Sequence, residues 1–490
     1  MRKLLTTILS CGLMLGFAST AAAVDIKAKG YFAFGFGLYD NGSFTDHSNE
    51  EHFDAAQQMR TYIDFIMSEE LSGTLAIEIG NTYWGNGGGA TWGAGLGAGR
   101  GAGGAMGADG VSVEVKHAYI DWFIPQTDVH LRMGLQPYIQ PQAVWRGDWG
   151  GGGMIFDDDA AGITLEVPVN DYFGVTAAWF RPWDAYINDS PERGGANWTD
   201  MHNHDEIDHF ILSFPIEVAD TFSLTPYGMF ALVGEVDDGV DPATGMFTNT
   251  GLIGHFMSAN ASLGHNGKTW WAGTAFSLDY FAPFHAYFDF AYGKYTADNV
   301  NSAYSGFGIE TTDPDRGGWV AVAKLDYTLD YFTPSLWGWY ASGTDSLRDD
   351  GMDGLMPSYA PYFGLTSFGF SGPRGDLARE WVLGEDPYGK WAVGASLENI
   401  KFFDDLTSQI RVMYMRGTSD TDGYSEAFRD YKILDSGDKV VEVNFDNIYN
   451  IYENLAMFVE VGYIHVDLKH EPANFDSNAW KSYVGFRYDF

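Results

Sequence analysis

Apolar residues recur at every second position along most of this chain, a period that suits a strand with one apolar face and does not suit a helix. Near the N-terminal end Ile26, Ala28, Phe32, Phe34, Phe36 and Leu38 share one parity. Met59, Thr61, Ile63, Phe65 and Met67 then alternate with Arg60, Tyr62, Asp64 and Ile66. Leu71, Leu75, Ile77 and Ile79 alternate with Thr74, Ala76 and Glu78, and Val129, Leu131, Met133 and Leu135 with His130, Arg132 and Gln136. The second face of these runs takes polar and charged residues. Composition agrees, because 61 Gly, 35 Phe, 28 Tyr and 16 Trp among 490 residues do not describe a helical bundle. Beyond residue 23 no uncharged apolar run approaches the roughly 18 to 20 residues of a spanning helix.

Charge and termini narrow the class further. Lys and Arg number 28 against 66 Asp and Glu, for a formal net charge of -38. Phosphate binding needs a basic surface, so nucleic acid is excluded as a partner. Arg2 and Lys3, the apolar stretch from Leu4 to Phe17 and the small residues Ala21, Ala22 and Ala23 read as a secretory signal, residues 1–23, leaving 24–490 as one domain. The single cysteine, Cys11, falls inside the signal, so no disulfide is expected in the exported chain.

Short segments join one alternating run directly to the next: Ser68 to Leu71, Pro125 to Asp128, Asn170 to Phe173, Ala219 to Phe222, Asp279 to Ala282, Asp330 to Thr333, Phe402 to Asp405 and Tyr449 to Tyr452. Between these hairpins run much longer polar connections, at 40–56, 83–110, 138–160, 182–205, 235–267, 296–316, 343–387, 418–437 and 468–478. Eight turns alternating with nine long loops make eighteen strands; with 251–263 read differently the count is sixteen. The predicted fold is all-β, a closed transmembrane antiparallel barrel, since an open edge in lipid would leave backbone groups unpaired. The polar face then lines a lumen too wide for side chains to fill.

The chain stops on an aromatic. Trp480, Ser482, Val484, Phe486, Tyr488 and Phe490 share one parity, and Lys481, Arg487 and Asp489 the other. This ending resembles the closing strand of Gram-negative outer-membrane proteins, whose terminal Phe is recognised by the barrel-assembly machinery. Together with Val24-Asp25-Ile26-Lys27-Ala28-Lys29-Gly30 and the eighteen-strand plan, it resembles the homotrimeric outer-membrane porins of sulfate-reducing bacteria. The resemblance implies a passive water-filled channel for small hydrophilic solutes and ions, a homotrimer, an outer-membrane location, contact with lipid and lipopolysaccharide, and Phe490 as an assembly signal.

By parity Arg60, Asp64, Glu78, Lys116, Arg132 and Arg411 are predicted to line the pore, with Glu114, Lys390, Glu398, Glu460 and Arg487 on the same face. The third long loop carries Arg146, Asp148, Asp157, Asp158 and Asp159, and by analogy with general porins these are constriction candidates. The alternative is an exposed or trimer-contacting loop. His202, His204, Asp205, Asp208 and His209 are metal ligands by type, but their spacing matches no zinc pattern and a solvated loop fits better. Asp349, Asp350, Asp353, Asp420 and Asp422 suggest calcium without completing its twelve-residue loop. Gly99, Gly101 and Gly104 spell a dinucleotide fingerprint with no strand-turn-helix around it. No cofactor is required; acids outnumber bases in the long loops, and this acidic crown leaves open a loop-bound divalent cation, Ca or Mg. Two rivals remain, a substrate-selective outer-membrane channel and a β-rich hydrolase, although no catalytic motif supports the second.

Overall fold

A computed structural model describes residues 24–45, 51–85, 113–144, 152–184, 206–218, 221–233, 267–297, 316–343, 354–358, 362–370, 377, 382–384, 386–420 and 434–490. Eighteen strands form one closed sheet: β1 (Asp25–Asp40), β2 (His52–Ile66), β3 (Leu71–Tyr83), β4 (Val113–Phe123), β5 (His130–Ile139), β6 (Asp157–Asn170), β7 (Phe173–Asp184), β8 (Glu206–Ser213, resuming at Ile216–Val218), β9 (Phe222–Val233), β10 (Gly267–Leu278), β11 (Phe284–Ala297), β12 (Arg316–Tyr327), β13 (Thr333–Ala341), β14 (Lys390–Phe403), β15 (Leu406–Gly417), β16 (Lys439–Tyr452), β17 (Leu455–Asp467) and β18 (Asn478–Asp489). Each strand pairs antiparallel with its sequence neighbour. Pro215 interrupts β8 because proline has no N–H to give the ladder, yet both parts pair with β7 and β9.

Closure is made between the two ends of the chain. β1 pairs β18 in register from Tyr31 opposite Asp489 to Asp40 opposite Trp480. The Gly30 N–H donates to the Phe490 carbonyl at 3.0 Å, and the Phe490 N–H returns to the Gly30 carbonyl at 2.9 Å. Among the described residues no barrel strand is left with an open edge.

The period-two residues sort as the sequence indicates. Phe32, Leu38, Phe65, Ile79, Ile163, Phe230, Leu325, Val443 and Val461 stand exposed on the outer face. Aromatics ring that face near both ends, with the Trp319 and Tyr340 rings stacked at 5.0 Å toward the long loops and Phe284 and Tyr327 at 4.6 Å toward the short turns. Such girdles mark the two water interfaces of a membrane barrel.

Boundaries differ from expectation at several places: β2 opens at His52, inside the expected 40–56 connection, and β14 runs through Phe403, inside the expected turn from Phe402 to Asp405. The last short turn lies at 453–454, because the ladder continues through Asn450 opposite Ala456 and Tyr452 opposite Leu455. Asp157, Asp158 and Asp159 lie in β6, opposite Ile139, Tyr138 and Pro137, so the third long loop runs over 140–156. Three successive acids do not stop the strand, since pairing with β5 still meets their backbone groups. The signal at 1–23, the glycine-rich run and the 251–263 segment lie outside the described residues.

Candidate functional site

Eighteen strands enclose more room than wall side chains can fill, and two loops occupy part of it. In the third loop the Gln140 Oε1 accepts from the Phe156 N–H at 2.9 Å, drawing the loop's two ends together. Across the lumen, Asp289 on β11 accepts the N–H groups of Ala143 and Val144, both at 2.7 Å. Val144, Met154, Ile155 and Phe156 are buried, and Phe156 packs 3.7 Å from the ring of Tyr138.

The second inserted loop joins β13 to β14. Its Tyr362–Phe363 pairs antiparallel with Gly152–Gly153 of the third loop, a two-stranded ribbon separate from the barrel. Tyr388 donates to the Met154 carbonyl and Trp271 to the Pro357 carbonyl, the latter at 2.8 Å. Further on, Glu442 of β16 accepts from Thr366 at 2.8 Å and from the Gly369 N–H at 2.9 Å, while Ser367 donates to Asp446 at 2.7 Å. Arg411 donates to the Leu365 carbonyl and Lys481 to that of Ser367. At Gly462, on β17, a Cβ would sit 2.7 Å from the Phe368 Cβ, so glycine there makes room for the loop.

Below the third loop, toward the short turns, a cavity of about 550 Å³ remains between Gln140, Gln142 and the walls of β6 to β12. Glu166, Glu217, Lys324 and Asp326 line it together with Ser and Thr hydroxyls.

No protein-family model matches the sequence, and no curated protein does. Solved structures do. The outer membrane protein OprD of Pseudomonas aeruginosa is similar over 96% of both chains, at 12% identity and a TM-score of 0.50. OpdL of the same organism is similar over 95% of this chain and 99% of its own, at 12% identity and 0.51. OpdO gives 10% identity and 0.51 over 95% and 97%. The fold is that of an outer-membrane porin.

Within this porin fold the predicted wall residues take definite partners. Arg60 holds Glu78, with its Nε 2.7 Å from Glu78 Oε2, and lies over the Tyr31 ring, which Arg487 also covers at 4.1 Å. Asp64 accepts from Thr74 at 2.8 Å and lies 3.6 Å from Lys29. Arg132 donates to Asp121 at 2.8 Å above the Tyr119 ring. Lys116 sits in a register shift between β3 and β4, and both it, at 2.5 Å, and His117, at 2.9 Å, reach Asp159. Asp157 accepts from the Gly153 N–H at 3.4 Å, and Asp158 is exposed. Arg146 and Asp148 lie outside the described residues, as do His202, His204, Asp205 and the aspartates at 349, 350, 353 and 422.

Arg411 departs from its expected place at the water. It points inward but is 1% exposed, because the second loop covers it, and its Nη2 stands 3.6 Å from Glu398. Asp208 and His209 face opposite sides of β8, as neighbours on a strand must: Asp208 meets Arg181 and Trp179, while His209 is buried beside Tyr138. Among the described residues no group of three acids, histidines or cysteines is arranged to hold a metal.

Residues that parity alone did not single out include Asp289, Lys324, Glu442 and Asp446. Asp289 stands between Phe288 and Phe290, a lone charge on the inward parity, and that was the legible signal. Lys324 joins Asp326 at 3.1 Å and Glu398 at 2.8 Å.

Proposed function

We propose that the protein is an outer-membrane channel that passes small hydrophilic solutes and ions by diffusion, through a lumen narrowed by two of its own loops. The observation that carries this is the closed eighteen-strand wall with apolar residues outside and paired charges within. A wall sorted in this way suits lipid on one side and water on the other. The reading needs no catalytic step. Liposome swelling tests it: proteoliposomes should swell in glycerol and small sugars, and loss of swelling as solute size rises should locate the narrowest passage.

A substrate-selective channel is the second reading, favoured by the ribbon of Gly152–Gly153 and Tyr362–Phe363 that ties the two inserted loops together. A tied constriction holds its side chains in place, whereas a loose one averages over many positions. The finer assembly is proposed from the sequence: a cleaved signal at 1–23, insertion by the barrel-assembly machinery through Phe490, and a homotrimer like the porins of sulfate-reducing bacteria. The acidic crown would face anionic lipopolysaccharide, which requires shared divalent cations, calcium or magnesium, to offset like charge.

A further inference from the structure

We infer that the cavity beneath the third loop is a recognition subsite for uncharged, hydroxyl-rich solutes, small sugars and polyols; this rests on the channel reading and names its substrate class. Pairing register brings Glu217, Ser223, Ser277, Tyr287 and Lys324 side by side on five successive strands, each opposite the next. All five line the cavity, with Thr225 above Ser223 on the same inward parity of β9. The belt therefore presents hydroxyls in its middle and one charge of each sign at its ends.

A hydroxyl both donates and accepts, so a row of them meets solute hydroxyls whichever way each points. The roof adds complementary groups. Gln140 is 1% exposed, and its Nε2 has no protein partner; the Gln142 Oε1, also buried, has none either. A buried donor and a buried acceptor without partners are costly, and a small rotation of the two amides toward the cavity would give both to a bound polyol. The Tyr287 ring offers an apolar surface for the C–H face of a sugar.

Charge argues against anions. Lys324, the one base among the described lining residues, already meets Asp326 at 3.1 Å and Glu398 at 2.8 Å, whereas Glu166, Glu217 and Asp326 all contribute carboxylates. A solute carboxylate entering here would be repelled, because like charges in a confined, low-dielectric site interact strongly. The cavity volume of about 550 Å³ lies within the range of small-molecule sites.

The test compares solutes of matched size in proteoliposome swelling: sorbitol, the anion gluconate, and a triglyme-type ether that accepts hydrogen bonds but cannot donate. Sorbitol should enter about tenfold faster than the ether, the worth of one to two net hydrogen bonds. Gluconate should lag behind both. Combined Ser223→Ala, Thr225→Val and Ser277→Ala should abolish the sorbitol preference while KCl conductance is retained. Entry governed by size alone in the wild type overturns the inference, as does a triple variant that keeps the preference. If neither KCl conductance nor swelling by any solute is found, the channel reading itself fails and the subsite falls with it. Since the wild-type ratio is decisive alone, a variant that failed to assemble would not rescue the idea.

Discussion

Lys481, on the strand that closes the barrel, donates to the carbonyl of Ser367, 114 residues earlier in the chain and part of the inserted loop. The same ammonium lies 2.7 Å from Glu460, and both side chains are almost wholly buried. One cation thus couples barrel closure to the loop that fills part of the lumen. Its neighbours Glu442 and Asp446 hold the same loop segment through Thr366, Ser367 and the Gly369 N–H.

Replacing Lys481 by Met should loosen that loop. Glu460 would remain buried without its cation, at a cost of about 3–5 kcal/mol for a broken buried pair. Larger or noisier single-channel conductance is expected, and the double variant with Glu460→Gln should recover part of the wild-type behaviour. Unchanged conductance in K481M would mean that the loop is held elsewhere.

Asp289 positions the third loop from the opposite wall. Truncation to Ala leaves the N–H groups of Ala143 and Val144 without an acceptor, roughly 1–3 kcal/mol each if they stay buried. Asp289→Asn keeps one good acceptor and should be milder. Polymer-exclusion measurements should show a wider or more variable passage in the Ala variant than in the Asn variant; the reverse order would count against this role.

Ion choice should be weakly cationic and should fade with salt, since loop charges act through water over a Debye length of about 8 Å at physiological ionic strength. Neutralising Asp157, Asp158 and Asp159 together should shift selectivity toward anions. Asp159 adds to this by an extra route, because its removal releases Lys116, now held at 2.5 Å. Reversal potentials across a KCl gradient check this, and strong anion selectivity in the wild type would contradict it.

Deleting Phe490 should depress outer-membrane yield more than it harms the refolded barrel. Its backbone closes the ladder onto Gly30, and its ring lies 5.7 Å from that of Phe32, but 18 strands of pairing remain without it. Normal surface yield of the deletion, by heat-shifted migration on detergent gels, would argue against an assembly role.

The barrel was legible because strands alternate: Phe32 and Arg60 could be assigned to opposite faces from parity alone. The strand count was legible because short turns and long loops differ in length. What parity does not carry is the path of a long connection, which depends on contacts with distant strands. Length and flanking polar residues make the 343–387 connection read as a polar loop, although its Phe363, Leu365, Phe368 and Phe370 are unusually apolar for solvent and are all buried. Parity places Arg411 on the inner face but does not reveal that a loop covers it there. Lys116 and His117 reach one carboxylate only because of a register shift, which no simple period reveals.

Single-channel recording in planar bilayers, with uncharged polymers of graded size added, tests the channel reading most directly. Discrete, long-lived conductance steps are expected, lowered by polymers small enough to enter and left unchanged by those too large for the passage between the two inserted loops, and larger in K481M. A purified, heat-modifiable barrel that produces no steps, or steps indifferent to polymer size and to the loop anchors, would contradict it.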